Sequence, residues 1–403
     1  MVHDLFANAG NAIDLSCAMT GISIGVNAHL LSFTPGYRRA GVSQYTEQMV
    51  RHFVSDHLLD PNDSITLFVG PGSLARMWSS ERNAIHYRAS HLPTSRPLYR
   101  ILWEQFIAPV LSVRTGLDVL FCPVNVVPIA ATVPSVVTVH DLAFLAYPEA
   151  YHPAKRRYLT VMTRLSVHRA RRIIAVSAHT RDDLVHQFGV RPERIAVIPN
   201  AADERFKPSD DPIGVAQFRA AHNLPDRFIL FVGTLEPRKN LRRLIEAFSL
   251  IADDSDIKLV IVGASGWLTS DLAPLVHARN LGERIIFTGY VSDDDLPCWY
   301  QAATLFCYPS LYEGFGLPVL EAMACGTPVV TSRTSSIPEV TGEAAVLVDP
   351  TDVSALARAL KSVLANEVRR NEMSAAGIAR SHAYSWGRTA AATLEVIRGA
   401  ARR

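Results

Sequence analysis

The sequence predicts an α/β protein built from two doubly wound parallel-sheet domains that face one another across a cleft. Three observations carry this. Short apolar runs alternate with helix-length segments along nearly the whole chain. There are about twelve such runs, more than one open sheet comfortably holds. A polar stretch with three prolines and no strand, residues 200–226, divides them into two nearly equal sets.

In chain order the first six strand candidates are Ile22–Val26, Ile65–Val69, Val119–Cys122, Val136–Val139, Ile173–Val176 and Ile195–Ile198. The second six are Phe228–Val232, Leu259–Val262, Ile285–Phe287, Leu305–Tyr308, Pro328–Thr331 and Ala345–Val348. Each is a nearly unbroken run of β-branched and aliphatic residues, the pattern of strands covered on both faces. Helix-length segments between them include Gly41–His57, Ala154–Arg169, Asn240–Ile251, Pro318–Ala324 and Val353–Leu364. A barrel of eight strand–helix units would need no mid-chain linker. The expected layout is a tail over 1–20, a first domain over 21–200, a second over 201–385, and a final segment over 386–403. In open parallel sheets ligands sit beyond the carboxyl ends of the strands, so two such domains place a site between them.

Composition removes several classes. Forty basic residues against 38 acidic ones give a net charge of +2, so no nucleic-acid partner is expected. No run of 18 apolar residues predicts a spanning helix. The first 20 residues contain Asp4 and Asp14 and lack the basic-then-apolar layout of a signal peptide. The cysteines at 17, 122, 298, 307 and 325 are scattered and form no CxxC. A cytoplasmic location with reduced thiols is the expectation. Only 155, 207, 239, 258 and 361 are lysines, so arginine dominates the basic residues. Arginine suits phosphate and carboxylate recognition, but each one must be judged by its surroundings.

Four clusters could carry chemistry. From Tyr308 to Val330 the chain reads YPSLYEGFGLPVLEAMACGTPVV. A strand ends near Pro309, a loop carries Glu313, Gly314 and Gly316, and a helix should begin at Pro318, where a missing proline N–H costs nothing. Glycines and a helix N-terminus favour an anion, most naturally a phosphate. Glu313 and Glu321 can accept hydrogen bonds from sugar hydroxyls; the alternative is a plain connection with a solvated Glu321. In FVGTLEPRKNL, Gly233 ends a strand and Arg238 and Lys239 precede a helix, where two cations oppose the dipole unless an anion lies between them. In TVHDLAFLAYPE, His140 and Asp141 follow directly on a strand and therefore lie at the cleft. In PGYRRAGVSQYTEQMV, Gly41 opens a helix that carries Ser43, Gln44 and Tyr45.

The run E-G-F-G-L-P-x-x-E-A-M-A-x-G-x-P-V-V resembles the signature of the retaining glycosyltransferases of family 4. The resemblance covers roughly residues 22–400 and implies the GT-B fold, two Rossmann-like domains with a cleft between, with no metal. It implies that Glu313 lies beside the donor sugar and Glu321 binds the ribose. Arg238 and Lys239 would stabilise the leaving diphosphate, and His140 would reach the sugar near its reacting carbon. Gly41, Gly233, Gly314 and Gly316 would lie at the donor's phosphates, Phe315 and Leu317 would also bind the donor, and Tyr290, Val291 and Leu296 would hold the nucleobase. Asp141, Ser43 and Ser177 rank second, Asp141 as a group that orients backbone or imidazole. The helix from Trp386 would return to the first domain. Two departures from the family pattern stand out: Thr234 replaces an arginine, and Gly41-Val42-Ser43 replaces G-x-G. Ser335–Val340, SSIPEV, is similar to a further family segment with no evident chemistry.

Other stretches allow competing readings. Asp254-Ser255-Asp256 spells a metal-binding DxD, but it follows a helical stretch and precedes a strand, so a solvated loop and no metal are expected. Segment 154–172 is strongly basic, with Arg157, Arg164, His168 and Arg171 on one helical face and Tyr158, Val161, Met162 and Leu165 on an apolar one. It is either a solvated face over a packed helix or a patch for an anionic membrane. Leu98–Val110, with Trp103 and Phe106, is either an acceptor wall or core. The wording GTLEPRKNL with HDLAFLAYPE most resembles bacterial mannosyltransferases of surface-polysaccharide assembly. That implies GDP-mannose as donor and a glycan or lipid-linked acceptor, peripheral on the inner membrane face. Enzymes using UDP-glucose or UDP-N-acetylglucosamine share most of these motifs, and a non-catalytic sugar-nucleotide-binding protein is the rival from another class.

Overall fold

Parallel pairing throughout two sheets accounts for the unbroken apolar runs, since helices and loops cover both faces of nearly every strand. The computed structural model describes residues 21–31, 41–55, 58–71, 84–252, 256–264 and 272–401. The leading tail, the Pro35–Ala40 part of the first glycine loop, and Asp254 and Ser255 of the DxD lie outside the described residues.

The first sheet contains β1 (Ser23–Asn27), β2 (Ser64–Val69), β3 (Ala84–Ala89), β4 (Val119–Cys122), β5 (Ser135–Val139), β6 (Arg172–Ala175) and β7 (Ile195–Val197). The second contains β8 (Phe228–Val232), β9 (Lys258–Val262), β10 (Ile285–Gly289), β11 (Leu305–Tyr308), β12 (Val329–Ser332) and β13 (Val346–Val348). Their orders are β3-β2-β1-β4-β5-β6-β7 and β10-β9-β8-β11-β12-β13. Both are doubly wound, with the chain reversing its direction of travel between β1 and β4 and again between β8 and β11. A crevice opens at the carboxyl ends of the strands on either side of each reversal.

β3 has no counterpart among the expected strands. Its sequence AIHYRA alternates, with Ile85 and Tyr87 packing on the core while His86 and Arg88 are exposed. It is an edge strand half in water, so it lacks the unbroken run by which the others are legible. Between 200 and 226 the chain does cross over: Ala201 belongs to the first domain's core and Phe206 to the second's. The short helix Pro212–Ala221 follows, started by Asp211, whose Oδ1 accepts from the Gly214 amide at 2.9 Å.

The last helix, Trp386–Ala400, packs on the first domain. Trp386, Ala390, Leu394, Ile397 and Ala400 are buried among Ile24, Val26, Met49 and Phe53. Arg398 Nη2 lies 2.8 and 2.9 Å from the carboxylates of Asp60 and Asp63. The second domain's chain thus closes back over the first domain's sheet.

Two expectations about helix faces need correction. In Pro153–Arg169 the buried residues are Thr163, Ser166 and Val167, while Val161 and Leu165 are 47% and 45% exposed. The inward side combines Val167, packed in the first domain's core, with small polar residues, of which Ser166 Oγ accepts the Val127 amide at 2.9 Å. The Leu98–Val110 stretch is neither simple core nor a wall of the cleft. Trp103 is buried against His29 and Phe68, but Leu98 and Phe106 are 65% and 70% exposed. This stretch runs as Pro97–Leu102, a π-turn Trp103–Ile107, and Ala108–Arg114.

Candidate active site

The site is assembled where β8 and β11, neighbours across the second reversal, release their chains. After β8 comes Gly233 and then a 3-10 turn, Pro237–Lys239, that presents Arg238 and Lys239. After β11 comes the loop with Ser310, Tyr312 and Glu313. Backbone and amide bonds stitch the two loops together: Leu311 N donates to Arg238 O at 2.8 Å, and Asn240 Nδ2 donates to Pro309 O at 3.0 Å. The second stitch explains why buried Asn240 carries a left-handed φ of 63° there.

Glu313 is the hub. Its Oε1 accepts from Lys239 Nζ at 2.6 Å, Ser310 Oγ at 2.7 Å and Tyr308 OH at 2.9 Å; its Oε2 accepts from Arg238 Nη1 at 3.0 Å. Glu236 Oε1 lies 2.6 Å from Arg238 Nε on the far side. Two carboxylates and two cations therefore neutralise one another inside the protein, the only economical way to bury four charges. Burial alone would raise the Glu313 carboxyl pKa, but Lys239 and Arg238 overcome it and hold the pKa at about 2. Burial and the Arg238 charge pull the Lys239 ammonium below its usual value, whereas Glu313 and Glu236 keep Arg238 firmly charged against its own burial.

Glu321 stands on the Leu317–Ala324 helix and is equally buried, with Tyr300 OH donating to its Oε2 at 3.0 Å. It has no adjacent cation of that strength, so burial raises its pKa to about 7. Gly316 caps this helix at φ 106°, a conformation open to glycine and costly for other residues. Gly314 serves a different purpose. A Cβ there would lie 1.7 Å from the His140 carbonyl, so only glycine lets the second domain's loop touch the first domain at this point.

His140 follows β5 and forms the opposite wall. Its Nε2 lies 2.9 Å from the Pro123 carbonyl, which only accepts, so Nε2 carries the proton and Nδ1 is left as an acceptor. Burial lowers its pKa, which keeps the ring neutral. Asp141 holds backbone: its Oδ1 accepts from Ala143 N at 3.0 Å, and its carbonyl accepts from Asn125 Nδ2 at 3.2 Å.

A cavity of about 610 Å³ between the domains brings together Gly41, His140, Asp141, Gly233, Arg238, Lys239, Leu296, Glu313, Gly314, Phe315, Gly316, Leu317 and Glu321. That volume suits a ligand of small-molecule size. Tyr290, Val291, Ser43 and Ser177 do not line it. Ser43 is buried within its helix, and Ser177 Oγ caps the Ala178–Phe188 helix by accepting from Thr180 N at 3.0 Å. Tyr45 is also a packing residue, its OH 3.2 Å from Thr138 Oγ1. Sequence reasoning missed Tyr308, Ser310 and Tyr300, which hold the two glutamates, and Glu236, which holds Arg238. Glu236 lies two residues before Arg238, and a lone acid beside paired cations was the available signal. Among the described residues no three His, Cys, Asp or Glu side chains gather as ligands for a metal ion.

Comparison with known proteins fits this architecture. Residues 39–206 match the family description Glycosyltransferase Family 4, and residues 215–380 match Glycosyl transferases group 1. O-antigen chain mannosyltransferase B of Escherichia coli is 35% identical over 267 residues, 66% of this chain and 70% of that protein. The chain belongs to glycosyltransferase family 4. The serotype-specific mannosyltransferase WbdA of Escherichia coli is 34% identical over 264 residues, but this family 4 glycosyltransferase spans only 32% of that longer protein. In fold it is similar to sucrose-phosphate synthase from Thermosynechococcus elongatus, at a TM-score of 0.73 and 24% identity, covering 94% of this chain and 98% of the other. The two domains of this glycosyltransferase thus have the GT-B arrangement, with the buried Glu313 hub at their junction.

Proposed function

We propose that this glycosyltransferase transfers a hexose, with mannose from GDP-mannose the favoured case, to a glycan or lipid-linked glycan during surface-polysaccharide assembly, with retention at the anomeric carbon. The observation that carries the reading is the Arg238–Lys239–Glu313 cluster facing His140 across the cleft. A nucleoside diphosphate entering beside Arg238, Lys239 and the start of the Leu317–Ala324 helix takes over those cations and lies at the positive end of that helix's dipole. That exchange frees the Glu313 carboxylate to face the sugar. As the glycosidic bond breaks, Arg238 and Lys239 stabilise charge growing on the leaving diphosphate, in the role a metal has elsewhere. Neutral His140 offers Nδ1 to a sugar hydroxyl, and Glu321 accepts from the ribose. Support for mannose comes from the mannosyltransferase names of the relatives above.

The decisive measurement is a thermal-shift panel of GDP-, UDP- and ADP-sugars. GDP-mannose should raise Tm most, as linkage requires of the tightest ligand; a larger shift with UDP-glucose or UDP-N-acetylglucosamine would replace the donor. Turnover should survive EDTA, and loss of activity restored by Mn²⁺ or Mg²⁺ would refute metal independence.

The proposed setting is the inner face of a membrane. No helix among the described residues is long and apolar enough to cross one. Leu98, Leu102, Phe106, Val110 and Val113 form an exposed stripe along residues 97–114, where the one acid, Glu104, is buried. Beside it, across the Val127–Ala131 strap, the Pro153–Arg169 helix exposes Lys155, Arg156, Arg157 and Arg164 together with Val161 and Leu165. Gln105 holds one side of that strap, and Ser166 and Arg169 hold the other. An apolar stripe next to cations without acids suits an anionic bilayer presenting a lipid-linked acceptor.

A further inference from the structure

We propose that Glu339 is a positioning residue: it locks the cleft shut from the second domain and, through the serines just before it, sets the Glu313 loop against His140. Glu339 does not line the cavity, so whatever it does for turnover it does through other groups.

The first domain's helix Ala178–Phe188 begins after Ser177, whose side chain satisfies the Thr180 amide. The amides of Ala178 and His179, the first two of that helix, have no acceptor within it. Both donate to one carboxylate of the other domain, at 2.8 Å to Glu339 Oε2 and 2.7 Å to Glu339 Oε1. Such a pair is charge-assisted and aligned with the helix dipole. The carboxylate is well anchored on its own side: Tyr384 OH donates to the Glu339 carbonyl at 3.0 Å, and Arg380 Nε to the Val340 carbonyl at 2.9 Å.

The segment leading into Glu339 holds the catalytic loop. Ser335 adopts φ 55°, a left-handed conformation unusual for serine, and its Oγ accepts the Glu313 amide at 3.0 Å. Ser336 Oγ lies 3.0 Å from the Glu313 carbonyl and 2.9 Å from the Phe315 carbonyl. Residues 335–339 therefore grip the Glu313 loop with two hydroxyls and the opposite domain with a carboxylate. Where they meet, Thr180 Oγ1 donates to the Gly314 carbonyl at 3.3 Å, and Gly314 sits on the His140 carbonyl. A neighbouring contact runs the same way: Tyr312 OH donates to Asp183 Oδ2 at 2.5 Å and accepts from Leu142 N at 3.2 Å. Engaging Glu339 and seating Glu313 opposite His140 are one movement.

The turnover arm of the test rests on the donor reading given above; the conformational arm does not. Full-length Glu339→Gln and Glu339→Ala are compared with wild type by small-angle scattering without ligand, by GDP titration calorimetry, and by release of GDP from GDP-mannose. Gln keeps the shape but sets an NH₂ against an N–H donor. Both variants should shift the scattering toward an open, larger-radius state. They should lower kcat about tenfold while GDP affinity stays within about twofold, because the nucleotide binds the second domain. Scattering curves that superimpose on wild type, or an unchanged kcat, would overturn the proposal. So would a loss of GDP affinity as large as the loss of kcat with a lowered Tm, since Glu339 would then merely support the second domain's fold. If wild type binds no GDP, the donor reading fails and the scattering comparison alone decides the latch.

Discussion

Glu313 illustrates how much one buried carboxylate can govern. Its Ala substitution strands Arg238 and Lys239 without their shared partner, and removing one member of a buried ion pair costs about 3 kcal/mol or more. Glu313→Ala should therefore have a lower Tm than wild type, regain much of it on adding a nucleoside diphosphate, and lose kcat far more than donor affinity. Differential scanning fluorimetry with and without GDP, beside steady-state kinetics, checks this; near-wild-type kcat would remove Glu313 from the chemistry. The pH dependence has a defined sign. With a folded pKa of about 2, below the usual carboxylate value, Glu313 contributes stability above its unfolded pKa that is lost as pH falls toward 2. Glu321 runs the other way: its folded pKa of about 7 makes the neutral form favoured below neutrality, and its burial penalty grows as pH rises from the ordinary carboxylate range through 7. A donor that prefers the charged form should release a proton on binding near pH 7. Calorimetry in buffers of different ionisation enthalpy should detect that release, and Glu321→Gln should abolish it. Little of this pairing was legible in the sequence. Glu313 and the two cations stand 74 and 75 residues apart, and only the β8–β11 adjacency brings them into contact.

At the scale of elements, legibility followed burial. Strands covered on both faces announce themselves as apolar runs, and twelve of the thirteen strands coincide with expected ones within a residue or two. Half-exposed β3 does not announce itself. Helix faces were harder, because the pattern of residue types does not say whether the inward side meets side chains or backbone. On Pro153–Arg169 the inward side takes Val167 into the core and sets Ser166 on the Val127 amide, while Val161 and Leu165 point out. That inversion makes the exposed stripe testable. Phe106→Asp should keep the fold, since the side chain is largely in water, yet lower partitioning onto phosphatidylglycerol-containing vesicles about tenfold. Arg156→Glu with Arg157→Glu should remove the preference for anionic over neutral vesicles. Wild-type sedimentation that is equal with both lipids, or absent from both, would count against membrane docking. A smaller effect is expected at Ser177, where Ala should cost about 1 kcal/mol of stability through the lost cap, read by urea denaturation.

For the whole molecule, the final helix decides what can be separated. Because Trp386, Leu394 and Ile397 complete the core over β1 and the Val42–Ser55 helix, a chain ending at residue 385 should leave the first domain short of its core and prone to aggregate. Limited proteolysis of the truncated chain checks this, and a stable, soluble first domain would contradict it. The two-domain plan was the most legible level of all, since alternation and the linker require no knowledge of any single contact. What the sequence did not disclose is how the halves are held, because Glu339, Tyr312 and Asp183 are ordinary polar residues until the fold places them across a boundary.

The self-neutralised hub has a further consequence, for the end of the catalytic cycle. If the incoming diphosphate displaces Glu313 from Arg238 and Lys239, then Glu313 is a tethered rival waiting beside the spent nucleotide at high local concentration. Departure of that nucleotide leaves no bare cations behind, since the carboxylate recaptures them. On the proposed donor reading, the residue that the donor must outcompete on entry thereby eases product release, and inhibition by the nucleoside diphosphate should be weaker than two buried cations alone would impose.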